Sequence, residues 1–370
     1  MRKVLALLAF APILALVFNS CETLFYSSSA QQSTTLTSSS TSSVSVTTAP
    51  KARTVEIITP PIEGTNVPGK SLAEKLVWLQ RNVESHNNYI VEVNGNENIA
   101  PTNLLYNGAI NITIVLKGDS INRIIRLSSH GKMFSVFSNV TFILDNNITL
   151  QGHSDNTGAI VDVSGGKFIM NTGATITGNI QSNNKGFFIS SRGGGVCVSS
   201  GTFTMNGGVI SNNTAVEGGG VYVASNFVMN GGVISGNTAS AGGGVHISRN
   251  NTFTMIGGTI TDNTASKGGG VFTTGIFTMR GGTITRNTAT EYGGGVCIDW
   301  GTHLGHESTK TGGIITGYNS DPSEGNVVRD HEGVLARRGH AFYVNAEKRR
   351  EKTAGIGINL SANRSDNWEQ

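Results

Sequence analysis

The sequence predicts an all-β solenoid, a right-handed parallel β-helix of about 24–26 residues per coil, from three observations. First, four consecutive copies of one unit occupy residues 201–299, and each copy is too short to fold alone. Second, apolar and polar residues alternate with the period of a strand, as at Phe203 and Met205. Third, no proline lies between Pro101 and Pro322, as expected where backbone N–H groups donate to neighbouring coils.

The repeat register extends beyond the four clear copies. Each unit contains three short strand-like runs separated by glycine or Asn-Thr corners, which predicts three strands per coil. A leucine-rich repeat has a similar period, but no leucine occurs between Leu150 and Leu304, so its leucine ladder cannot form. The phenylalanines that head equivalent segments are Phe142, Phe168, Phe203, Phe227, Phe253 and Phe277.

Stacked coils place equivalent residues about 4.8 Å apart, so each repeat position becomes a column in space. We expect the phenylalanine, methionine and isoleucine columns to form the core. Asparagine tolerates left-handed backbone and can hydrogen-bond its copy in the next coil, so an asparagine column is expected to form a ladder at one corner. That column comprises Asn179, Asn213, Asn237, Asn263 and Asn287.

The middle residue of the Gly-Gly-Gly-Val-x-Val strand is predicted to point outward, and this column is the least uniform. Its aromatic members Tyr222, His246 and Phe272 lie beside a strip of glycines, a flat face that suits a sugar ring or a partner strand. The alternative is that the glycines set the corner and the stripe packs under a loop or terminal segment. The whole column reads Asp162, Cys197, Tyr222, His246, Phe272 and Cys297.

Two cysteines share this column without being able to pair. Cys197 and Cys297 are four coils apart, which is about 19 Å. A disulfide needs Cα atoms within about 7 Å. They are therefore expected to be inert apolar residues, with an intermolecular bond as the alternative.

The N-terminus has the composition of an export signal. Arg2 and Lys3 precede an apolar run that ends at Phe18 and is too short to span a membrane. Cys21 follows directly and resembles the acylated cysteine of a bacterial lipobox, although Phe18 and Asn19 stand where that motif has leucine and a small residue. We therefore predict a lipoprotein signal peptide over residues 1–20 and a lipid anchor on Cys21.

Residues 21–70 are predicted to be a disordered tether, because their serine and threonine tracts cannot bury a core. A flexible chain of this length spans about 35–40 Å root-mean-square. The β-helix is predicted over residues 71–345. It should begin with a capping helix at 71–85, where Ser71 and Glu74 form a capping box, and residues 346–370 should form a C-terminal cap.

No catalytic constellation emerges from the columns. Polysaccharide-cleaving β-helices need clustered carboxylates for Ca²⁺ or for acid–base chemistry. Here Asp262 lies beside Arg286 of the next coil and predicts a surface ion pair. His303-x-x-His306 lacks the helix and carboxylate context of a metal site. We expect no catalytic residue, no metal and no cofactor.

One column mixes charges, since Glu217 shares its position with Arg192, Ala241, Lys267 and Tyr292. The net charge of +3 is near balance and gives no support for nucleic-acid binding. Departures from the repeat are where a solenoid often carries specificity. These departures are residues 180–192, with Phe187 and Phe188 as candidate ligand-binding residues, and residues 301–310 and 320–338.

The chain resembles the right-handed β-helix repeat lipoproteins of treponemes. The similarity runs from residue 71 to the end and rests on residues 71–76, 144–150 and 348–355, the repeated Phe-Thr-Met-Asn-Gly-Gly units and Gly339-His340-Ala341. A more distant similarity is to the polymorphic outer membrane proteins of chlamydiae. Those adhesins carry F-x-x-N tetrapeptides such as the one from Phe203 to Asn206, but the units at Phe253 and Phe277 depart from that pattern.

These features lead to an expected function. We expect a lipid-anchored lipoprotein of the bacterial cell envelope, displayed at the outer membrane surface, that acts as an adhesin for host matrix or glycan. Two alternatives stay open at this point. One is a polysaccharide lyase or hydrolase of the pectate-lyase-like class, and the other is a structural or antigenic coat protein without a fixed ligand. The sequence does not predict the oligomeric state.

Overall fold

The computed structural model describes residues 62–181, 191–299, 308–318, 320–330, 332–335 and 339–345, together with the backbone of 352–353 and 357–359. These residues form a right-handed parallel β-helix of about nine turns, which confirms the predicted fold. The predicted signal peptide, Cys21, most of the tether, Phe187, Phe188, His303 and His306 lie outside the described residues.

Three sheets form the sides of the described coils. The large sheet comprises Thr65–Asn66, Asn88–Val93, Thr102–Leu104, Ile112–Gly118, Phe134–Phe137, Val140–Leu144, Val161–Met170, Val196–Met205, Val221–Val223, Asn226–Met229, Val245–Ile247, Thr252–Met255, Val271–Thr273, Ile276–Met279, Val296–Asp299, Thr309–Lys310, Phe342–Asn345, Lys352–Thr353 and Gly357–Asn359. The second sheet comprises Glu97–Ile99, Arg123–Leu127, Ile148–Gln151, Ala174–Thr177, Val209–Ser211, Val233–Ser235, Thr259–Thr261, Thr283–Thr285 and Ile314–Ile315. The third sheet comprises Thr238–Ala241, Thr264–Lys267, Thr288–Tyr292 and Val327–Val328.

The repeat columns predicted from sequence are confirmed by the strand register. Phe142 pairs with Phe168, and the pairing continues through Phe203, Phe227 and Phe253 to Phe277. Consecutive rings in this column lie 4.6–5.7 Å apart, centroid to centroid. The phenylalanine, methionine and isoleucine columns are at most 1% exposed and form one continuous core.

The asparagine ladder is confirmed and is longer than predicted. The side-chain amide of Asn237 donates to Asn263 Oδ1 at 2.9 Å, and Asn263 donates to Asn287 Oδ1 at the same distance. Asn156 and Asn326 extend the ladder at its two ends. All of these asparagines are fully buried, so the ladder satisfies backbone and side-chain groups in the interior.

The left-handed backbone expected at the ladder lies one residue earlier. The residues that precede four consecutive ladder asparagines have φ between 51° and 64°: Asn212, Gly236, Asp262 and Arg286. The ladder asparagines direct their side-chain amides into the interior. The residue before each of them forms the corner of the coil that allows this direction. The predicted surface pair is confirmed there, because Arg286 Nε lies 2.9 Å from Asp262 Oδ1.

One α-helix, α1 (Leu72–Asn82), precedes the first coil within the described residues. The Ser71 hydroxyl accepts from the Glu74 backbone N–H at 3.2 Å, as a capping box requires. Glu74 in turn accepts from the Lys70 N–H, one residue before the expected partner. Leu72 and Leu79 are buried in the same core as the coils, so α1 packs against the start of the solenoid.

The far end of the solenoid departs from parallel pairing. Phe342–Asn345 pairs parallel with Val296–Asp299 and forms one more large-sheet strand. Gly357–Asn359 pairs antiparallel with Thr309–Lys310 and with Lys352–Thr353. An antiparallel strand at this position occupies backbone groups that a further coil would otherwise use. The other residues of the predicted cap lie outside the described chain.

Candidate functional site

The outward column predicted from sequence spans the whole solenoid. Strand register joins its six predicted members and adds Asn103 and Ser135 before Asp162, and Tyr343 after Cys297. These nine residues are termed the outer column. Their neighbours Val221, Val223 and their equivalents lie in the core, so the outer column occupies the opposite side of the same strands. Sequence alone missed Asn103 and Ser135 because the first coils lack the repeat.

The aromatic members of the outer column contact one another with tilted rings. The ring centroids of Tyr222 and His246 are 5.1 Å apart, and those of His246 and Phe272 are 5.0 Å apart. The three side chains are 4%, 6% and 7% exposed. The rings therefore contact each other along the helix axis in a tilted arrangement and are shielded from solvent. This burial favours the packed alternative over the flat, open face at these coils, and a ligand-binding role for the three stays a prediction.

The glycine strip beside the outer column is also buried. Gly218 has φ of +67°, which a residue with Cβ rarely adopts. A Cβ at Gly219 would lie 2.5 Å from the carbonyl oxygen of Thr238 and 2.6 Å from that of Gly243. The glycine triplets are therefore required by the turn and by close stacking of coils, and they leave no exposed platform.

A second column leans over the outer column and accounts for part of its burial. The flanking column comprises Arg192, Glu217, Ala241, Lys267 and Tyr292, paired in the register predicted from sequence. Arg192 and Tyr292 precede the outer-column residue of their own coil but contact that of the next. The Arg192 guanidinium lies 5.0 Å from the centre of the Tyr222 ring, and Tyr292 stacks on Tyr343 at 4.5 Å.

Electrostatics in the aromatic part follow from this arrangement. Burial lowers the pKa of His246 to about 4, although the nearby Glu217 carboxylate acts in the opposite direction. His246 Nδ1 is buried and has no hydrogen-bond partner within the described part of the chain. Glu217 is itself paired with Arg192, Oε2 to Nε, at 2.9 Å. The aromatic stack therefore holds a neutral imidazole at neutral pH.

The N-terminal part of the outer column is polar and centres on a buried carboxylate. Asp162 is 1% exposed and accepts from Lys132 Nζ at 2.7 Å, Ser164 Oγ at 2.6 Å and Ser199 Oγ at 2.8 Å. Burial by itself would raise the pKa of Asp162, but these three donors outweigh it and lower that pKa below its ordinary value. Asp162 is therefore an anion with its oxygens already engaged.

Lys132, which is bonded to this carboxylate, also lines a cavity of about 290 Å³. Two outer-column residues line it, Asn103 and Ser135, and Lys132, Thr157 and Pro101 line its other sides. Tyr222, His246 and Phe272 fill the equivalent outer-column positions in later coils, whereas Asn103 and Ser135 leave the space open. This cavity is the site that sequence reasoning did not find. The alternation of residues along the strands predicts which positions point outward, but the residues that line this cavity come from three different coils.

The two cysteines behave as the sequence predicted. Cys197 and Cys297 are buried and unbonded, and four pairing steps separate them. Burial raises the pKa of the Cys197 thiol to about 11 and also raises that of Cys297. Both are therefore protonated at neutral pH and are poor nucleophiles.

Within the described residues, no group of three or more His, Cys, Asp or Glu side chains is arranged to hold a metal ion. No helix in that part of the chain is long and apolar enough to cross a membrane. Comparisons with models of known families, with curated proteins and with solved structures found no match to this chain. The function is therefore inferred from the geometry of the site.

Proposed function

We propose that the protein is an envelope-anchored β-helix that binds its ligand at the N-terminal part of the outer column and acts as an adhesin for host matrix or glycan. The observation that carries this proposal is one continuous column that ends in an open polar cavity. The aromatic part of the column is buried, so the ligand contacts fall at Asn103 and Ser135, where the cavity lies.

The chemistry of the cavity favours binding over bond cleavage. Asp162 is bonded to the cavity-lining Lys132, but three donors occupy its oxygens and solvent scarcely reaches it. A general base needs a free lone pair within hydrogen-bond reach of a substrate proton. Lys132 and the neutral side chains of Asn103, Ser135 and Thr157 instead offer hydrogen bonds to a ligand. This arrangement supports the adhesin over the lyase or hydrolase.

The anchoring part of the proposal rests on sequence. The apolar run before Cys21 and the serine- and threonine-rich residues after it support acylation of that cysteine and display of the β-helix away from the membrane. We propose the outer membrane surface as the location. Replacing Cys21 with serine should move the protein from the membrane fraction to the soluble fraction of cells. Equal membrane association of the variant would contradict the anchor.

The ligand part is tested by presenting the purified protein to an array of matrix proteins and polysaccharides. Retention should be seen without release of shortened products, and Asn103→Ala should reduce it. Asn226→Ala is the matched control, since Asn226 is also an exposed asparagine of the large sheet but lies outside the outer column. Released products would favour the enzyme, and the absence of any reproducible partner would favour the coat protein.

A further inference from the structure

The cavity beside Asn103 and Ser135 has the size of a site for one small ligand. Its volume of about 290 Å³ lies just below the range for small-molecule pockets, about 300–1,000 Å³. Two glycines that also line it cannot be replaced without loss of space. A Cβ at Gly131 would lie 2.7 Å from Pro101 Cγ, and one at Gly158 would lie 2.9 Å from Lys132 Cγ.

The lining offers hydrogen-bond donors, hydrogen-bond acceptors and one apolar surface. The Asn103 amide and the Ser135 and Thr157 hydroxyls each can donate and accept, and the Lys132 ammonium adds further donors. The Pro101 ring contributes the apolar side. Neighbouring hydroxyls on a ring with C–H groups on its faces, as in a pyranose sugar, complement such a lining. A purely apolar ligand would leave these polar groups without partners on binding.

The Lys132–Asp162 pair determines which charge the ligand can carry. The ammonium charge is already compensated, because Lys132 Nζ lies 2.7 Å from the buried Asp162 carboxylate. An anionic ligand that drew Lys132 away would leave a carboxylate of 1% exposure without its cation, which is strongly unfavourable. A cationic ligand would meet the ammonium itself. A neutral ligand can accept hydrogen bonds from the remaining N–H groups of Lys132 without breaking the Lys132–Asp162 ion pair.

We infer that this cavity is a binding site for a single neutral pyranose unit, the end or a branch of a glycan. The inference rests on the proposed function for its ligand class and adds the position of the sugar and its lack of charge. Lys132 donates hydrogen bonds to the sugar, and its ion pair with Asp162 disfavours charged ligands. Asn103 and Ser135 contact the ring hydroxyls.

The test titrates the full-length protein with the methyl glycosides of glucose, galactose, mannose and N-acetylglucosamine, and with methyl glucuronide as the anionic match. Saturation-transfer NMR detects contact and calorimetry measures affinity. We expect at least one neutral glycoside to bind saturably and at least tenfold more tightly than the glucuronide. No saturable neutral glycoside, or a glucuronide that binds as tightly, would overturn the inference.

Variants locate the binding in the cavity. Ser135→Phe fills the space from the outer-column side and should abolish glycoside binding. Asn103→Ala changes an exposed residue, is not expected to disturb folding, and should weaken binding about tenfold. Asn226→Ala should leave it unchanged. Binding that survives both cavity variants would place the sugar elsewhere and refute the assignment.

The outcomes separate this inference from the adhesin proposal. A polymer retained on the array while no neutral glycoside saturates the protein would refute the sugar pocket alone. A glycoside that binds in the cavity while no polymer is retained would refute the adhesin alone.

Discussion

The N-terminal part and the aromatic part of the outer column share the same strand geometry but differ in how their side chains fill the space outside it. In the coils of Tyr222, His246 and Phe272, stacked rings fill the space outside the strands and are less than 8% exposed. In the coils of Asn103 and Ser135, small polar residues leave a cavity at the same position. A solenoid can thus hold its fold constant while one column of side chains decides between a packed ladder and a pocket.

The corner before each strand differs in the same way. In the aromatic part the corner is a glycine triplet that stacks without room for a Cβ, as at Gly219. In the polar part the register places Lys132 at the equivalent of Gly219, two residues before the strand partner of Val221. Its long side chain reaches Asp162 of the next coil. The glycine repeat therefore favours packing, and its interruption creates a polar site.

The largest expected effect distinguishes the packed part from the open part. Phe272→Ala should lower the free energy of unfolding by about 3 kcal/mol, because it removes a buried ring stacked on His246. Ser135→Ala beside the cavity should change it by less than about 1 kcal/mol. Urea unfolding measures both. Equal effects of the two substitutions would mean that the aromatic part is not packed more tightly than the polar part.

A second prediction uses pH to probe the packed part. Burial lowers the pKa of His246 to about 4 from 6.5, so the unfolded chain takes up the proton first as pH falls. Stability should therefore decrease from about pH 6.5 to about pH 4, by up to about 3 kcal/mol for this group. His246→Phe should remove that component, and Tyr222→Phe should keep it. An unchanged pH profile in His246→Phe would show that the imidazole is not buried as described.

A third prediction concerns the polar part. Lys132→Met should lower the free energy of unfolding by about 1–3 kcal/mol at neutral pH, because Asp162 then remains an anion with only its two serine donors. Lys132 helps to lower the pKa of Asp162, so the stability it contributes is lost as pH falls through that lowered pKa. The difference between the two proteins should therefore shrink below about pH 4.

The matched control for this substitution is Lys267→Met. Lys267 lies 3.7 Å from Glu291, and both partners are well exposed. Its loss should cost less than about 1 kcal/mol. Chemical unfolding at pH 7 and pH 3 gives both comparisons. A cost for Lys132→Met that does not depend on pH would show that the lysine contributes by packing and not by charge.

The smallest expected effect tests the cover that the flanking column provides. Arg192→Ala removes the guanidinium over the Tyr222 ring and a half-exposed pair with Glu217, and should cost about 1 kcal/mol. It should also make the Tyr222 phenol more accessible to nitration, read by mass spectrometry. Unchanged nitration of Tyr222 would mean that other groups provide the cover.

Much of the fold could be predicted from the sequence because the copies of the repeat can be aligned with one another. Equivalent residues such as Phe203 and Phe227 stack in register, so the core, the asparagine ladder and the distance between Cys197 and Cys297 could be predicted from spacing alone. The Asp262–Arg286 pair followed from the same alignment. Each of these features depends only on which residues occupy one repeat position.

The site depended on contacts that a repeat alignment does not contain. The cavity joins residues of the first, irregular coils, where Lys132 and Asp162 are 30 positions apart with no shared motif. The burial of Tyr222 depends on how Arg192 of the preceding coil leans across it. Sequence determined which residues stack, because the backbone fixes one rise per coil. Only the tertiary structure decided whether the space outside the strands is filled or open, because side-chain length and direction set it coil by coil.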